Sequence, residues 1–135
     1  RISHRSLAIV ADTSGHPVAQ GAPVMIRIDR IWLATEPMDM RAGPDTCLAR
    51  VVKVFGAAEP HQAYVFLNKR ANRIKVLVHD GFGLWLAARR LHQGRFVPAK
   101  CWQRDPLELD QEQLQALVVG LPWYQAGRQN AISIL

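Results

Sequence analysis

Cysteine is scarce in this 135-residue chain, where Cys47 and Cys101 stand alone and far apart. Neither has the paired spacing that a zinc site or a dithiol redox motif requires, so both are read as reduced thiols of a cytosolic protein. Long apolar runs are missing as well. No stretch approaches the roughly 18 residues needed to cross a bilayer, and Leu7–Ala11 is too short for the apolar core of a signal peptide, so neither membrane insertion nor secretion is expected. Catalytic motifs are equally thin. There is no nucleophile elbow and no Cys-His arrangement, and the glycines of DGFG (80–83) belong to a turn rather than to a phosphate-cradling loop.

Acid is rare in one region above all. Between Lys69 and Arg104 nine bases (Lys69, Arg70, Arg73, Lys75, Arg89, Arg90, Arg95, Lys100, Arg104) meet Asp80 alone, whereas the rest of the chain holds eight bases and ten acids. The formal charge of +6 is therefore concentrated rather than spread. Such an imbalance speaks to association with polyanions, not to fold.

A phosphoryl-transfer site needs carboxylates converging on one or two divalent ions, which must neutralise both the attacking and the leaving oxygens. The candidates are Asp39, Asp45, Asp80 and Glu108. Asp39 and Asp45 read better as turn and helix-start residues, and Asp80 as the partner of Gly81 in a turn. His79 stands beside Asp80 without further ligands, and His4, His16, His61 and His92 share no ligating period. No metal, cofactor or catalytic residue is expected, and the chain is read as non-enzymatic.

What is present suits one α+β domain: 49% of the residues are apolar and no repeat or low-complexity tract interrupts them. Residues 1–24 show no sustained period and carry Ser, Gly and Pro at short intervals, so a flexible arm is expected, with Met25 a candidate natural initiator. The domain is placed at 25–125 and a tail at 126–135. From Met25 the run MIRIDRIWLAT alternates as a strand with one wet face. Gly43-Pro44-Asp45 opens a helix whose stripe is Leu48, Val51, Val52 and Phe55, with Gly56 as its stop. AYVFLN, RIKVLVH and GLWLAARRL then read as an antiparallel meander, the last two joined at Asp80-Gly81. Near the end, Asp110 and Gln113 form a capping box, Leu109 and Leu114 staple the helix start, Leu114, Leu117 and Val118 supply its face, and Gly120 closes it. The expected fold class is a small antiparallel sheet with two or three packed helices.

The 69–95 ribbon carries the functional reading. A two-residue turn at Asp80-Gly81 would set Val76 opposite Trp85 and Lys75 opposite Leu86, gathering Arg73, Lys75, His79, Phe82 and Arg90 on one side. A three-residue loop would instead group Lys75 with Trp85 and Arg89. Either way one face collects cations and an aromatic ring while Ile74, Val76 and Val78 form a dry face. Cations of this kind replace counterions around phosphates, and planar side chains stack on exposed bases. Lys69, Arg70, Arg73, Lys75, Arg89, Arg90 and Arg95 are the candidate phosphate contacts, and convergence of Arg73, Lys75 and Arg89 on one open surface is the deciding expectation. The plain alternative is a solvated sheet face whose long side chains cover apolar surface with their stems.

Several motifs follow one another in a telling order: Arg30-Ile-Trp-Leu-Ala-Thr-Glu-Pro-Met-Asp-Met-Arg-Ala-Gly43, Tyr64-Val-Phe66, Arg73-Ile-Lys-Val-Leu77, Asp80-Gly81, Leu84-Trp85, Arg90-Leu91, Gly94-Arg95-Phe96 and Leu109 through Trp123. In order and spacing they resemble the TnpB (Orf2-like) accessory proteins of insertion-sequence-66 type bacterial transposable elements, over residues 26–123. Pro44 and His79 depart from the family pattern, which usually has Phe after the glycine and an aromatic before the aspartate. The resemblance implies a small bacterial, cytoplasmic protein that assists transposition beside a separate transposase carrying the catalytic acids. Its expected partners are the DNA of the element's ends, or a cut intermediate, and that transposase. Two roles follow as expectations: DNA binding through the basic ribbon, or docking on the transposase through the sheet or terminal helix, with Asp39-Met-Arg41 as an interface loop or simply an internally paired turn.

Overall fold

The computed structural model describes residues 5–9, 24–99 and 106–126 of the protein. The stretch that alternates from Met25 is two strands rather than one, because the chain bends at Asp29. Before the bend, β2 (Val24–Ile28) pairs antiparallel with β1 (Arg5–Ile9), Arg5 opposite Ile28 and Ile9 opposite Val24. β1 and Val24 of β2 fall inside the stretch expected to be a flexible arm; residues 1–4, 10–23 and 127–135 lie outside the described residues. After the bend, β3 (Arg30–Leu33) joins a second sheet, and the Asp29 amide donates to the His61 carbonyl at 2.7 Å to hold the corner.

That second sheet has five strands. From β3 the chain crosses through α1 (Pro44–Phe55) to β4 (Gln62–Leu67), then runs back and forth through β5 (Arg73–His79) and β6 (Leu84–Arg90), and later adds β7 (Leu107–Leu109) beside β3. The order is β6-β5-β4-β3-β7. The β4-β5-β6 meander matches the sequence expectation. The expected small antiparallel sheet with packed helices is present, with one parallel pair in it, β3 and β4. A helical crossover is what permits this, since a tight turn can only join antiparallel neighbours. The class is a mostly antiparallel α+β fold with helix α2 (Gln111–Val118) and a short 3-10 turn at Trp123–Gln125 completing it.

The sheet is covered on both faces, so its central strand reads as an apolar run rather than an alternation. Ala63, Val65 and Leu67 of β4 pack with Ile74, Val76, Val78, Phe96, Leu109, Leu114, Leu117 and Trp123 on the α2 side. Tyr64 and Phe66, one residue out of phase, pack with Leu77, Met38, Cys47 and Val51 on the α1 side. The α1 stripe is shifted from its sequence reading: Cys47 and Val51 are buried, Leu48 and Phe55 half-buried, and Val52 is 47% exposed. Phe55 sets its ring edge-on to Tyr64, with centroids 4.8 Å apart. Gly56 ends the helix at φ +90°, where a side chain would be strained. Burial also pushes the Cys47 thiol up, which leaves it an inert core group.

Helix α2 starts as its sequence dictates. Asp110 accepts from the Gln113 amide at 2.8 Å, and the Gln113 side chain returns a bond to the Asp110 amide at 2.9 Å. Leu109 and Leu114 are both buried beneath this start. Gly120, at φ +82°, donates to the Leu117 carbonyl at 3.0 Å and closes the helix.

Candidate nucleic-acid interface

Two turns and one strand pair build the basic surface. The β4–β5 turn is organised by Asn68, whose Oδ1 accepts from the amides of Asn72 and Arg73, both at 3.0 Å. Its Nδ2 donates to Asn72 Oδ1 at 2.7 Å, and Ala71 takes a left-handed backbone at φ +58° with its methyl buried. The turn is thus fixed by its own side chains, leaving Lys69 and Arg70 exposed at the tip.

Beyond it, β5 and β6 pair with Arg73 directly opposite Arg90, and the series continues to His79 opposite Leu84. The connecting loop is therefore four residues, Asp80–Gly83, rather than two. This register differs by a shift of two from the two-residue case, so the side assignment is preserved: Arg73, Lys75, His79 and Arg90 share a face, and Ile74, Val76 and Val78 turn to the dry one. Asp80 holds the loop. Its Oδ1 accepts from the amides of Phe82 (2.8 Å) and Gly83 (2.7 Å), and its Oδ2 from the Trp85 indole (2.7 Å). These donors, the Phe82 amide foremost, keep the Asp80 carboxyl below the usual carboxylate range.

The loop after β3 forms the other wall. Asp39 and Arg41 are joined by a bidentate pair with a 2.7 Å shortest contact, and the Arg41 amide donates to Asp39 Oδ1 at 2.9 Å. The Arg41 hydrogen bonds lower Asp39 to about 2, with Lys75 adding its charge. Asp39-Met-Arg41 is thus an internally paired turn, as one of its two sequence readings held. Lys75 pins this loop to the sheet: its ammonium, on a half-buried side chain, donates to the Met40 carbonyl at 2.7 Å and to the Ala42 carbonyl.

Between the walls lies an open depression of about 510 Å³ bordered by Asp39, Arg41, Lys69, Arg70, Arg73 and Arg90. A smaller one of about 300 Å³ shares Met40, Arg73 and Arg90 with it and extends the surface along β6. Among the described residues Asp39 is the only acid on the larger rim, and Arg41 already matches it. Among the described residues, none of the three ion pairs involves Lys69, Arg70, Arg73 or Arg90. Arginines set directly across an antiparallel pair repel each other, at a cost of a few tenths of a kcal/mol in the absence of an anion.

The seven cations singled out in the sequence therefore divide. Lys69, Arg70, Arg73 and Arg90 come together. Lys75 lies on the same face with its ammonium engaged by carbonyls. Arg89 sits on the α2 face, where Nη1 donates to the Val118 carbonyl at 2.7 Å, complementing the carbonyl end of that helix. Arg95 is exposed, its carbonyl beside Gly120, and it does not line either depression. Arg73, Lys75 and Arg89 all border the smaller depression, but their heads part there: the Lys75 ammonium donates to the loop carbonyls, and β-strand alternation puts Arg89 on the opposite face, where its guanidinium meets Val118. Arg41 is the cation the sequence reading did not count, hidden by its own ion pair. Lys100 and Arg104 lie outside the described residues.

The four candidate metal carboxylates are dispersed among structural duties. Asp39 pairs with Arg41, Asp45 sits in the first turn of α1, Asp80 holds the hairpin loop and Glu108 lies 3.9 Å from Arg30. Among the described residues no group of three or more His, Cys, Asp or Glu is placed to hold a metal ion, and no helix is long and apolar enough to cross a membrane.

Comparison with known proteins agrees with the motif order. The family described as IS66 Orf2 like protein matches residues 29–128. Two relatives from Sinorhizobium fredii (strain NBRC 101917 / NGR234) are similar over most of their lengths. The uncharacterized protein y4jC is 33% identical over 104 residues, covering 74% of this chain and 86% of its own. The uncharacterized protein y4hO is 32% identical over 95 residues, covering 70% and 82%. No solved structure matches. With most of the chain matched, including both walls of the basic depression, the protein belongs to the IS66 Orf2-like family, a family associated with transposition of insertion-sequence elements.

Proposed function

We propose that the protein is a non-catalytic accessory factor of transposition that binds DNA through the depression formed by Arg41, Lys69, Arg70, Arg73 and Arg90, beside a separate transposase. The single observation that carries this reading is the uncompensated set Lys69, Arg70, Arg73 and Arg90 around one open concavity, with its lone acid already paired. Guanidinium groups at two fixed strand positions and two side chains on a rigid turn suit phosphate oxygens, which accept bidentate donors and release counterions when neutralised. Such contacts set register and orientation without reading bases. The element's ends or a cut intermediate are the DNA the family context favours.

The test is anisotropy titration of a labelled duplex at low salt with the full chain, with Lys69, Arg70, Arg73 and Arg90 replaced together by Ala, and with a control carrying Arg95→Ala. Loss of affinity in the first variant and retention in the control are expected. Equal affinity in all three proteins, or none in the parent, sinks the reading.

A second reading, docking on the transposase, is favoured by a separate feature: Val119, Leu121 and Tyr124, exposed by 52%, 54% and 43% just beyond α2. Co-purification with that transposase at high salt, abolished by Leu121→Asp, is its expected signature, because a dry interface persists where a phosphate contact weakens.

A further inference from the structure

The most exposed large apolar side chain among the described residues is Phe82, at 102% of its reference accessibility. It lies at the tip of the same β5–β6 ribbon whose base carries Arg73 and Arg90. Exposed aromatics are usually explained by a mobile loop, yet here the loop is braced. The Phe82 and Gly83 amides and the Trp85 indole all donate to the Asp80 carboxylate, and the Asp80 amide donates to the Gly83 carbonyl at 3.0 Å. Phe82 is flanked by Gly81 and Gly83, which have no side chains to lie against either face of its ring. Gly81, at φ +96°, is in a backbone region that other residues rarely adopt.

A braced ring with two bare faces and no apolar surround is poorly suited to a protein pocket, whose energetic centre needs a dry rim around it. It suits a flat, uncharged partner that stacks. We propose that Phe82 is a stacking platform for an unpaired nucleobase, so that the preferred ligand is DNA with single-stranded nucleotides adjoining duplex. This rests on the DNA reading of the basic depression, which would hold the duplex phosphates. Arg73 stands six residues from the end of β5, about 20 Å at the usual strand rise, with Phe82 in the loop beyond it, so the two features are separated by at least roughly six nucleotide steps of 3.4 Å. Asp80 does not oppose this arrangement, because a base is neutral and the carboxylate oxygens are already occupied by the loop's own donors.

Two probes test it with the full-length chain: a blunt duplex, and the same duplex extended by a short unpaired thymidine tract. The parent should prefer the extended probe by roughly 5- to 150-fold, the range expected for one base stacked on an aromatic ring. Phe82→Ala should abolish the preference while leaving blunt-duplex affinity within twofold, and Phe82→Trp should keep it. An unchanged preference in Phe82→Ala overturns the proposal. So does loss of transposase co-purification in Phe82→Ala with the DNA preference intact, which would assign the ring to a protein partner. Absence of binding to both probes in the parent would instead defeat the underlying DNA reading of the depression.

Discussion

Replacing Lys75 separates a structural cation from a ligand-binding one on the same strand. Lys75→Met keeps the length and most of the apolar stem but removes the ammonium that donates to the Met40 and Ala42 carbonyls. A hydrogen bond from a charged donor contributes about 1.5–3 kcal/mol, and leaving a buried acceptor bare costs about 1–3 kcal/mol. Two bonds are lost, but Lys75 is only half-buried and water can reach part of the gap, so the total should fall near 2–4 kcal/mol. For a domain of this size each kcal/mol lowers the Tm by about 4–8 °C, which makes a drop of about 10 °C or more the expected thermal result. Urea unfolding of the parent, Lys75→Met and Arg73→Ala gives the comparison. Arg73 makes no side-chain bond within the described fold and faces Arg90, so its loss should leave stability within about 0.5 kcal/mol or raise it slightly. DNA affinity should move the other way, falling for Arg73→Ala and hardly changing for Lys75→Met at a temperature where both are folded. A Lys75→Met protein as stable as the parent but weakened in DNA binding would refute the reasoning, because the ammonium would then be free to reach phosphate.

The remaining predictions concern the depression and the caps. With four unpaired cations engaged, the logarithm of the duplex affinity should fall against log salt with a slope of about −3.6, roughly a 150-fold loss between 50 and 200 mM; a slope near zero in an anisotropy series would contradict a phosphate-based contact. Asp110→Ala removes the side-chain acceptor of the Gln113 amide while keeping the backbone amide that donates to Gln113 Oε1, and urea titration should show a loss of about 0.5–2 kcal/mol. Asp80 and Asp39 are both held below the ordinary carboxylate range in the folded state, so their contribution is complete above about pH 4 and fades as pH falls through the folded values, about 2 for Asp39. Unfolding midpoints followed from pH 5 to 2 should therefore decline more steeply for the parent than for Asp80→Ala; parallel curves would mean that the loop donors do not favour the ionised carboxylate.

The elements legible in the sequence were those specified by neighbours in the chain. The α2 cap needs Asp110 and Gln113 three residues apart, and the α1 boundaries need Pro44 inside its start and Gly56 at its end, all local chemistry that survives into the fold. The β4-β5-β6 meander followed from alternation, but whether Arg90 or Arg89 shares a side with Lys75 depended on a loop length the sequence left open; the four-residue loop keeps the parity of the two-residue case, because a shift of two leaves it intact. β7 was missed because three residues are too few to show a period, and the α1 stripe was shifted because Cys47 was not weighed as the small apolar residue it is.

By itself the sequence determined the excess of positive charge along one ribbon, the α+β class and the family. Tertiary structure alone decided which cations are free. Lys75 and Arg73 are equivalent as letters two positions apart on one face, yet the Pro37–Ala42 loop folds its carbonyls over the first and leaves the second open. Arg41 enters the surface through the same loop, and Arg89, which borders the smaller depression, commits its guanidinium to the end of α2. The reason is physical: charge is a property of a residue, whereas its availability depends on which acceptors long-range packing brings within about 3 Å of it.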